Sequence, residues 1–443
     1  MSFPRYNSYH ASGVGWLGEV PTSWQVRRFR FVFRESNEKI EHEVVGPMLS
    51  VSGYRGIEIK QYDDENRRRL NDELIGYRIV RPGQLVVNTM WLNYAGLGVS
   101  EHEGHVSPAY RSYWIEADVN RRFVHHLLRS SIYVQGYTRM LTGVRPNSLQ
   151  MSRDDMMDFP VLLPPRPDQD AIAAFLDYET ANIDALVEKH EQLIALLKEK
   201  RQAIISHAVT KGLNPDAPMK DSGAQWLGEV PEHWTVSRLK HLSSHVVDCL
   251  HTTPTYEGDL QFPAIRTADV ERGRLLLDQA RLVSREVYEE RIQRLAPAPD
   301  DILYSREGER FGMAALVPPG VDLCLGQRMM MFRIKPTDAP GYFMWVLNSE
   351  AVFQQVLSGL TGATSPHVNI SDVINFDVPR PPLSEQIEIA KHLNEETDRL
   401  DALVSEAQVA ITLLQERRAA LISAAVTGKI DVRGLIPDQA EAA

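Results

Sequence analysis

The chain has 443 residues, 43% of them hydrophobic and 24% charged, with a formal net charge of −11. That is the balance of an ordinary soluble globular protein, long enough for about three domains. No apolar run reaches the roughly 18 residues of a bilayer span, and the opening MSFPRYNSYH has no signal-peptide core, so the expectation is a cytoplasmic protein with no membrane partner.

Cys249 and Cys324 are too few for a disulfide framework or a zinc site. They fit a reducing compartment and read as small buried hydrophobes. Acidic net charge argues against nucleic acid, but its distribution is uneven. Residues 1–165 hold 20 Lys+Arg against 18 Asp+Glu, and residues 213–380 hold 16 against 22. The cations in both segments are mostly Arg, which suits phosphate and base-edge contacts. No segment is strongly basic, so DNA binding would call for a partner's help.

In chain order, the first signal is Ser12–Arg30, SGVGWLGEVPTSWQVRRFR, which returns as Ser222–Lys240, SGAQWLGEVPEHWTVSRLK, with 11 of 19 positions identical. Trp16, Trp24, Trp226 and Trp234 are expected in their own domains' cores, and Pro21 and Pro231 break any helix between them. Strand-like, turn-rich middles follow. Gln84–Thr89, Tyr110–Ile115, Asp301–Ser305 and Met329–Ile334 read as strands, and Arg122–Tyr133 and Pro340–Leu357 as amphipathic helices. Each middle passes a Leu-Thr-Gly (141–143, 360–362) and ends in a short strand before prolines.

A short helix (Gln169–Tyr178 or Gln386–Glu395) then leads into a long one. Glu179–Thr210 contains no Gly or Pro and has a copy at Glu396–Thr427, with 17 of 32 positions identical. In the first, Ile183, Val187, His190, Ile194, Leu197, Arg201, Ile204 and Ala208 are spaced four and three apart. In the second the stripe is Leu400, Val404, Ala407, Ile411, Leu414, Arg418, Leu421 and Ala425. This is the seam of a coiled coil, about 48 Å long at roughly 1.5 Å per residue, and the simplest partner of each helix is the other. The seam arginines read as snorkelling side chains, the alternative being ion pairs with Glu199 and Glu416 or with a partner subunit. The expected organisation is a first domain at 1–165, a first helix region at 166–212, a second domain at 213–380, a second helix region at 381–430 and a tail at 431–443, disordered from Gly434.

No catalytic constellation emerges. Gly13-Val14-Gly15-Trp16-Leu17-Gly18 matches the dinucleotide fingerprint, but nothing strand-like precedes it, Pro21 follows, and the repeat has Gln225 in place of Gly15; it reads as a turn. No phosphate-cradling loop, methyltransferase Asn-Pro-Pro-aromatic run or clustered metal ligands are present, and Glu58-Ile59-Lys60 reads as a solvated strand rather than half of a nuclease motif. What remains are polar and Arg-bearing loops at corresponding places in the two middles. They hold Arg67, Arg68, Asn88, Trp91, Ser107, Tyr110 and Arg145 in the first, and Ser305, Arg306, Arg310, Gln327, Arg328 and His367 in the second. Arg reads guanine and Asn or Gln reads adenine through paired hydrogen bonds, so these are the candidate DNA contacts.

The pattern resembles the specificity subunits of Type I restriction-modification enzymes over nearly the whole chain. The resemblance is carried by Trp16–Pro21 with Trp24, Trp226–Pro231 with Trp234, Pro381-Pro382-Leu383-Ser384-Glu385-Gln386, Gly326-Gln327-Arg328, and the helix ends Ala208-Val209-Thr210 and Ala425-Val426-Thr427-Gly428. Pro164-Pro165-Arg166-Pro167-Asp168-Gln169 departs from the family's wording. The resemblance implies two α/β (α+β) target recognition domains, each reading half of a bipartite double-stranded DNA site, separated by an antiparallel coiled coil with a pseudo-twofold repeat. It implies a chain without chemistry or cofactor of its own. Two modification subunits would carry S-adenosylmethionine and methylate adenine, and restriction subunits would use ATP and Mg. The residues alone leave a second reading open, a coiled-coil scaffold presenting two protein-binding domains.

Overall fold

The computed structural model describes residues 3–62, 74–142, 150–308, 310–359 and 368–435. The chain forms two compact units, Met1–His190 with Val409–Ala443, and Glu191–Gln408. The divisions fall inside the long helices. These are Arg166–Lys211 and Leu383–Val426, of 46 and 44 residues, so the short helices expected at Gln169–Tyr178 and Gln386–Glu395 are their first turns. No Gly or Pro interrupts the join, and Pro167 sits in the first turn, where a missing N–H costs no helical bond.

In the first unit, the core joins Ile172, Phe175 and Leu176, early in the first long helix, to Leu421, Ile422 and Ala425, late in the second. In the second unit, Ile205, Ala208 and Val209 share a core with Ile389, Ala390 and Leu393. Each unit thus combines the beginning of one helix with the end of the other, which is an antiparallel pairing. Burial follows the predicted stripes: Ile183, Val187, Leu197, Leu400, Ile411 and Leu421 are buried, and Ile194, Ile204, Val404 and Leu414 are half-buried.

The first unit is built on a four-stranded antiparallel sheet in the order Phe33–Glu35, Tyr110–Ile115, Leu85–Asn88, Leu97–Val99. The second has Ser243–Asp248, Met329–Ile334, Ile302–Ser305, Ala314–Leu316 in the same order. Middles that match only at sequence landmarks therefore share one topology. Beside these sheets they differ. The first unit adds a hairpin, Leu49–Ser52 with Gly56–Ile59, and the pair Arg78–Val80 with Gly104–Val106. The second adds a three-stranded sheet, Arg281–Val283, Phe262–Ile265, Cys324–Leu325, and a hairpin, Val270–Glu271 with Arg274–Leu275.

The opening repeat forms a hairpin in both units, Tyr9–Ala11 with Glu19–Pro21 and Met219–Asp221 with Glu229–Pro231. Gly13 and Gly18 lie in its turn at positive φ, so the glycine pattern serves a turn rather than a pyrophosphate. Trp24 Nε1 donates to Asp168 Oδ2 at 3.2 Å, and Trp234 Nε1 to Glu385 Oε2 at 2.9 Å. Gln169 accepts from the Asn120 N–H and donates to the Pro164 carbonyl; Gln386 does the same with Ala339 and Pro381. The divergent Asp168-Gln169 therefore fills the structural places of Glu385-Gln386.

Three expectations are corrected. Trp16 stacks on Phe159 over Gly136, but Trp226 is 38% exposed. The sixth residue of the matching helix is Gln355, not glycine, and its amide is engaged by the backbone of Asp377. The two predicted amphipathic helices are each two: Arg121–Arg129 then Ser131–Thr138, and Pro340–Leu347 then Glu350–Gly359. Ahead of Gly434, Val432 is buried and the Asp431 N–H donates to the Pro4 carbonyl at 2.8 Å. Residues beyond 435 lie outside the described ones.

The third concerns the seam arginines. Arg418 Nε lies 2.9 Å from Asp184 Oδ1, and Arg201 Nε lies 3.0 Å from Asp401 Oδ1. Neither arginine snorkels, and neither uses Glu199 or Glu416. An Asp one helical segment away across the pair is nearer the planar guanidinium than a Glu two residues off on its own helix, which faces elsewhere.

Candidate nucleic-acid interface

The shared sheet gathers the candidates at one end of its two central strands. In the first unit Asn88 ends Leu85–Asn88, opposite Tyr110, which opens Tyr110–Ile115. The Asn88 side chain accepts from the Met90 N–H at 3.2 Å. Burial pushes the Tyr110 phenol up, and a hydrogen bond to Asn88 partly offsets this. The turn that follows is closed by backbone bonds from Trp91 and Tyr94 N–H to the Asn88 and Trp91 carbonyls and by Ala95 at φ 54°. It presents Trp91 and Tyr94 to solvent, edge to face with ring centres 6.0 Å apart. Ser107 is half-buried in the loop leading to Tyr110. Tyr94 was not among the sequence candidates, although an aromatic three residues after Trp91 in a turn-rich stretch was there to be noticed.

In the second unit Ser305 ends Ile302–Ser305, opposite Met329, the place of the Asn88–Tyr110 pair. Ser305 and Arg306 are buried and expose no surface for contact. Arg306 instead braces the loops: its guanidinium lies 3.4 Å from Asp248 and from the Val368 carbonyl, and its N–H donates to the Arg328 carbonyl at 3.0 Å. Arg328 is exposed, at φ 67°, with Nε 3.2 Å from Glu307. A non-glycine residue held in the left-handed region is strained, and such strain gathers at functional positions. Gly326, two residues before it, could carry no side chain, since a Cβ would lie 2.6 Å from the Ile265 carbonyl oxygen. Gln327 is half-buried, 3.5 Å from the His251 carbonyl. Arg310 donates to the Ala268 carbonyl at 3.1 Å and lies 3.7 Å from Glu271. Arg67, Arg68, Arg145 and His367 lie outside the described residues.

Arg310 is half-buried and held by Glu271 together with the Ala268 and Val270 carbonyls, whereas Arg328 is a surface arginine paired with Glu307. Such a surface pair is worth about 0–1 kcal/mol, little enough for an incoming phosphate or guanine edge to replace. Among the described residues no group of three or more His, Cys, Asp or Glu could hold a metal, and no helix is long and apolar enough to cross a membrane. Both cysteines are buried.

No protein-family model matches the chain. It is 23% identical over 317 residues to the Type I restriction enzyme EcoKI specificity subunit of Escherichia coli K12, an alignment covering 70% of this chain and 65% of that one. It is 23% identical over 282 residues to the MjaVIII specificity subunit of Methanocaldococcus jannaschii, covering 62% of each. The match thus spans a little under two thirds of these relatives' lengths. A solved chain from a study of the assembly and conformational transition of the type I R-M system superimposes with a TM-score of 0.63 at 16% identity, covering 93% of this chain and 99% of that one.

The chain is similar in sequence to Type I restriction enzyme specificity subunits. The fold found here is shared with the solved chain over nearly its full length. The paired tryptophans and the Gln169 and Gln386 bridges give this chain's repeated opening and Pro-Pro motifs a structural purpose. They lock each domain to the first turn of a long helix.

Proposed function

We propose that this chain is the DNA sequence-specificity subunit of a Type I restriction-modification complex. Each unit reads one half of a bipartite, asymmetric double-stranded target. The antiparallel helices set the spacing and dock two modification subunits, which supply S-adenosylmethionine and methylate adenine at N6. Restriction subunits bring ATP and Mg for translocation and cleavage. The observation that carries the reading is one sheet topology used twice with unlike side chains at the same strand ends: Asn88, Trp91 and Tyr110 in one unit, Gln327 and Arg328 in the other. A common scaffold with different contact groups is what two dissimilar half-sites require. Exposed Leu186 and Leu196 on the first helix recur as exposed Leu403 and Leu413 on the second, which supports two equivalent partner sites along the helices.

The test is the adenine methylation profile of a host with and without this chain and its modification subunits. A split motif should appear only with the chain. Replacing Arg328 by Ala in an assembled complex should cost about 1–3 kcal/mol at one base position and relax one half-site only. Equal relaxation of both half-sites would rule out one unit per half-site, and an unchanged profile would remove Arg328 from the contact set.

A further inference from the structure

Each recognition domain meets the helices at a second place besides its tryptophan anchor. In the first unit the turn of the hairpin Leu49–Ile59 reaches the helix pair at Tyr54. Its hydroxyl donates to Asp184 Oδ1 at 2.5 Å, and the Arg418 guanidinium lies 4.7 Å from the centre of its ring. Arg418 in turn holds Asp184 through two contacts, of 2.9 and 3.2 Å. The turn is stiffened from behind by Arg129, which donates to the Ser52, Gly53, Ala95 and Leu97 carbonyls. Burial pushes the Arg129 guanidinium down to about 10, and it stays charged at neutral pH.

In the second unit a different hairpin, Val270–Leu275, arrives at the matching ion pair. Arg201, held by Asp401, donates to the Arg272 carbonyl at 2.8 Å and lies 5.6 Å from the Trp345 ring. Gly273 sits against the same ring, where a Cβ would lie 2.5 Å from it. The Arg272 guanidinium donates to the Gln202 side chain.

The helix partners are the same in both units: Asp184 and Asp401 correspond, as do Arg201 and Arg418. The hairpins correspond in neither sequence nor length. Asp168 and Asp184 are 16 positions apart on one helix, as are Glu385 and Asp401, or about 24 Å at roughly 1.5 Å per residue. A domain fixed at one point can swing; fixed at two points that far apart it cannot.

Resting on the function proposed above, we infer that the Asp184–Arg418 and Asp401–Arg201 pairs are positioning residues. They latch a hairpin of each recognition domain to the helices and thereby set how strictly the spacer between half-sites is measured. The test uses the full complex with modification subunits. It compares methylation rates on duplexes with the cognate spacer and with spacers one base pair shorter or longer.

Arg418→Ala should keep cognate methylation near the parent rate and weaken discrimination against wrong spacers by about fivefold, the equivalent of one such pair. Tyr54→Phe, which deletes a single hydroxyl, should shift discrimination the same way by less. Arg417→Ala, at a neighbouring exposed arginine 3.9 Å from Glu179, should leave discrimination at the parent's value. Parent-like discrimination in both Arg418→Ala and Tyr54→Phe overturns the inference. If Arg418→Ala does not assemble, Tyr54→Phe alone decides. A parent complex that shows no methylation dependent on this chain refutes the proposed function instead.

Discussion

Trp24→Ala should lower the stability of the first unit by about 3–5 kcal/mol, and Trp234→Ala should do the same to the second, the range for emptying a large aromatic site in a core. Both indoles are essentially fully buried. Trp24 packs edge-on to Tyr6 with ring centres 5.5 Å apart. Gly428, at φ 69° just past the second helix, lies against Trp24 and Pro21, and Gly212, at φ 78° just past the first, lies against Trp234. Removing either ring takes away the surface on which a helix end rests. Losing Trp24 also takes the indole donor from the buried Asp168, leaving it Arg433 at 3.8 Å. Phe at either position keeps most of the apolar area and loses the hydrogen bond, so it should cost about 1–3 kcal/mol. Denaturant unfolding followed by far-ultraviolet circular dichroism measures both. A loss under about 1 kcal/mol for Trp→Ala would mean the anchor contributes little.

Gln386→Ala should cost about 1–3 kcal/mol for each buried group it orphans. Those groups are the Ala339 N–H, bonded at 2.7 Å, and the Pro381 carbonyl, bonded at 2.9 Å. Gln386 also donates to Asp338 Oδ1 at 3.0 Å. Burial alone would raise the Asp338 carboxyl. Hydrogen bonds from Arg380, Gln386 and Thr337 outweigh it and hold the group below the usual carboxylate range. Asp338 therefore contributes stability above its unfolded pKa that is lost as pH falls through the lower folded one.

Gln386→Glu reverses the sign. A new carboxyl beside Asp338 in a buried place has its pKa raised. Its penalty is absent below the unfolded value of about 4.3 and full once pH exceeds the folded one. The deficit of Gln386→Glu against the parent should thus shrink as pH is lowered from 7 toward 4, whereas that of Gln386→Ala should not. Parallel stability–pH curves for the two variants would show that the side chain is not held against Asp338.

Much of the architecture was legible in the sequence because the signals that carry it are local. A seam repeating every three or four residues needs only the helix's own period to be read. The duplicated Trp-Leu-Gly-Glu-Val-Pro motif and the copied helix announce a pseudo-twofold chain. Tyr110–Ile115 and Met329–Ile334 stand out as strands because short runs rich in aromatic or apolar residues, bounded by turn-rich stretches, suit a pleated, half-buried surface.

Only the tertiary structure decided what depends on residues far apart. Arg201 and Asp401 are 200 positions apart, so nothing in the helical period distinguishes a snorkelling arginine from a paired one. The common sheet order of the two middles is invisible in their sequences, because short strands need only alternating side chains and tolerate many solutions. Arg306 and Arg328 look alike in the sequence, yet one is buried as a brace and the other stands exposed. That difference comes from a neighbouring strand end and from Asp248, neither of which the local sequence contains.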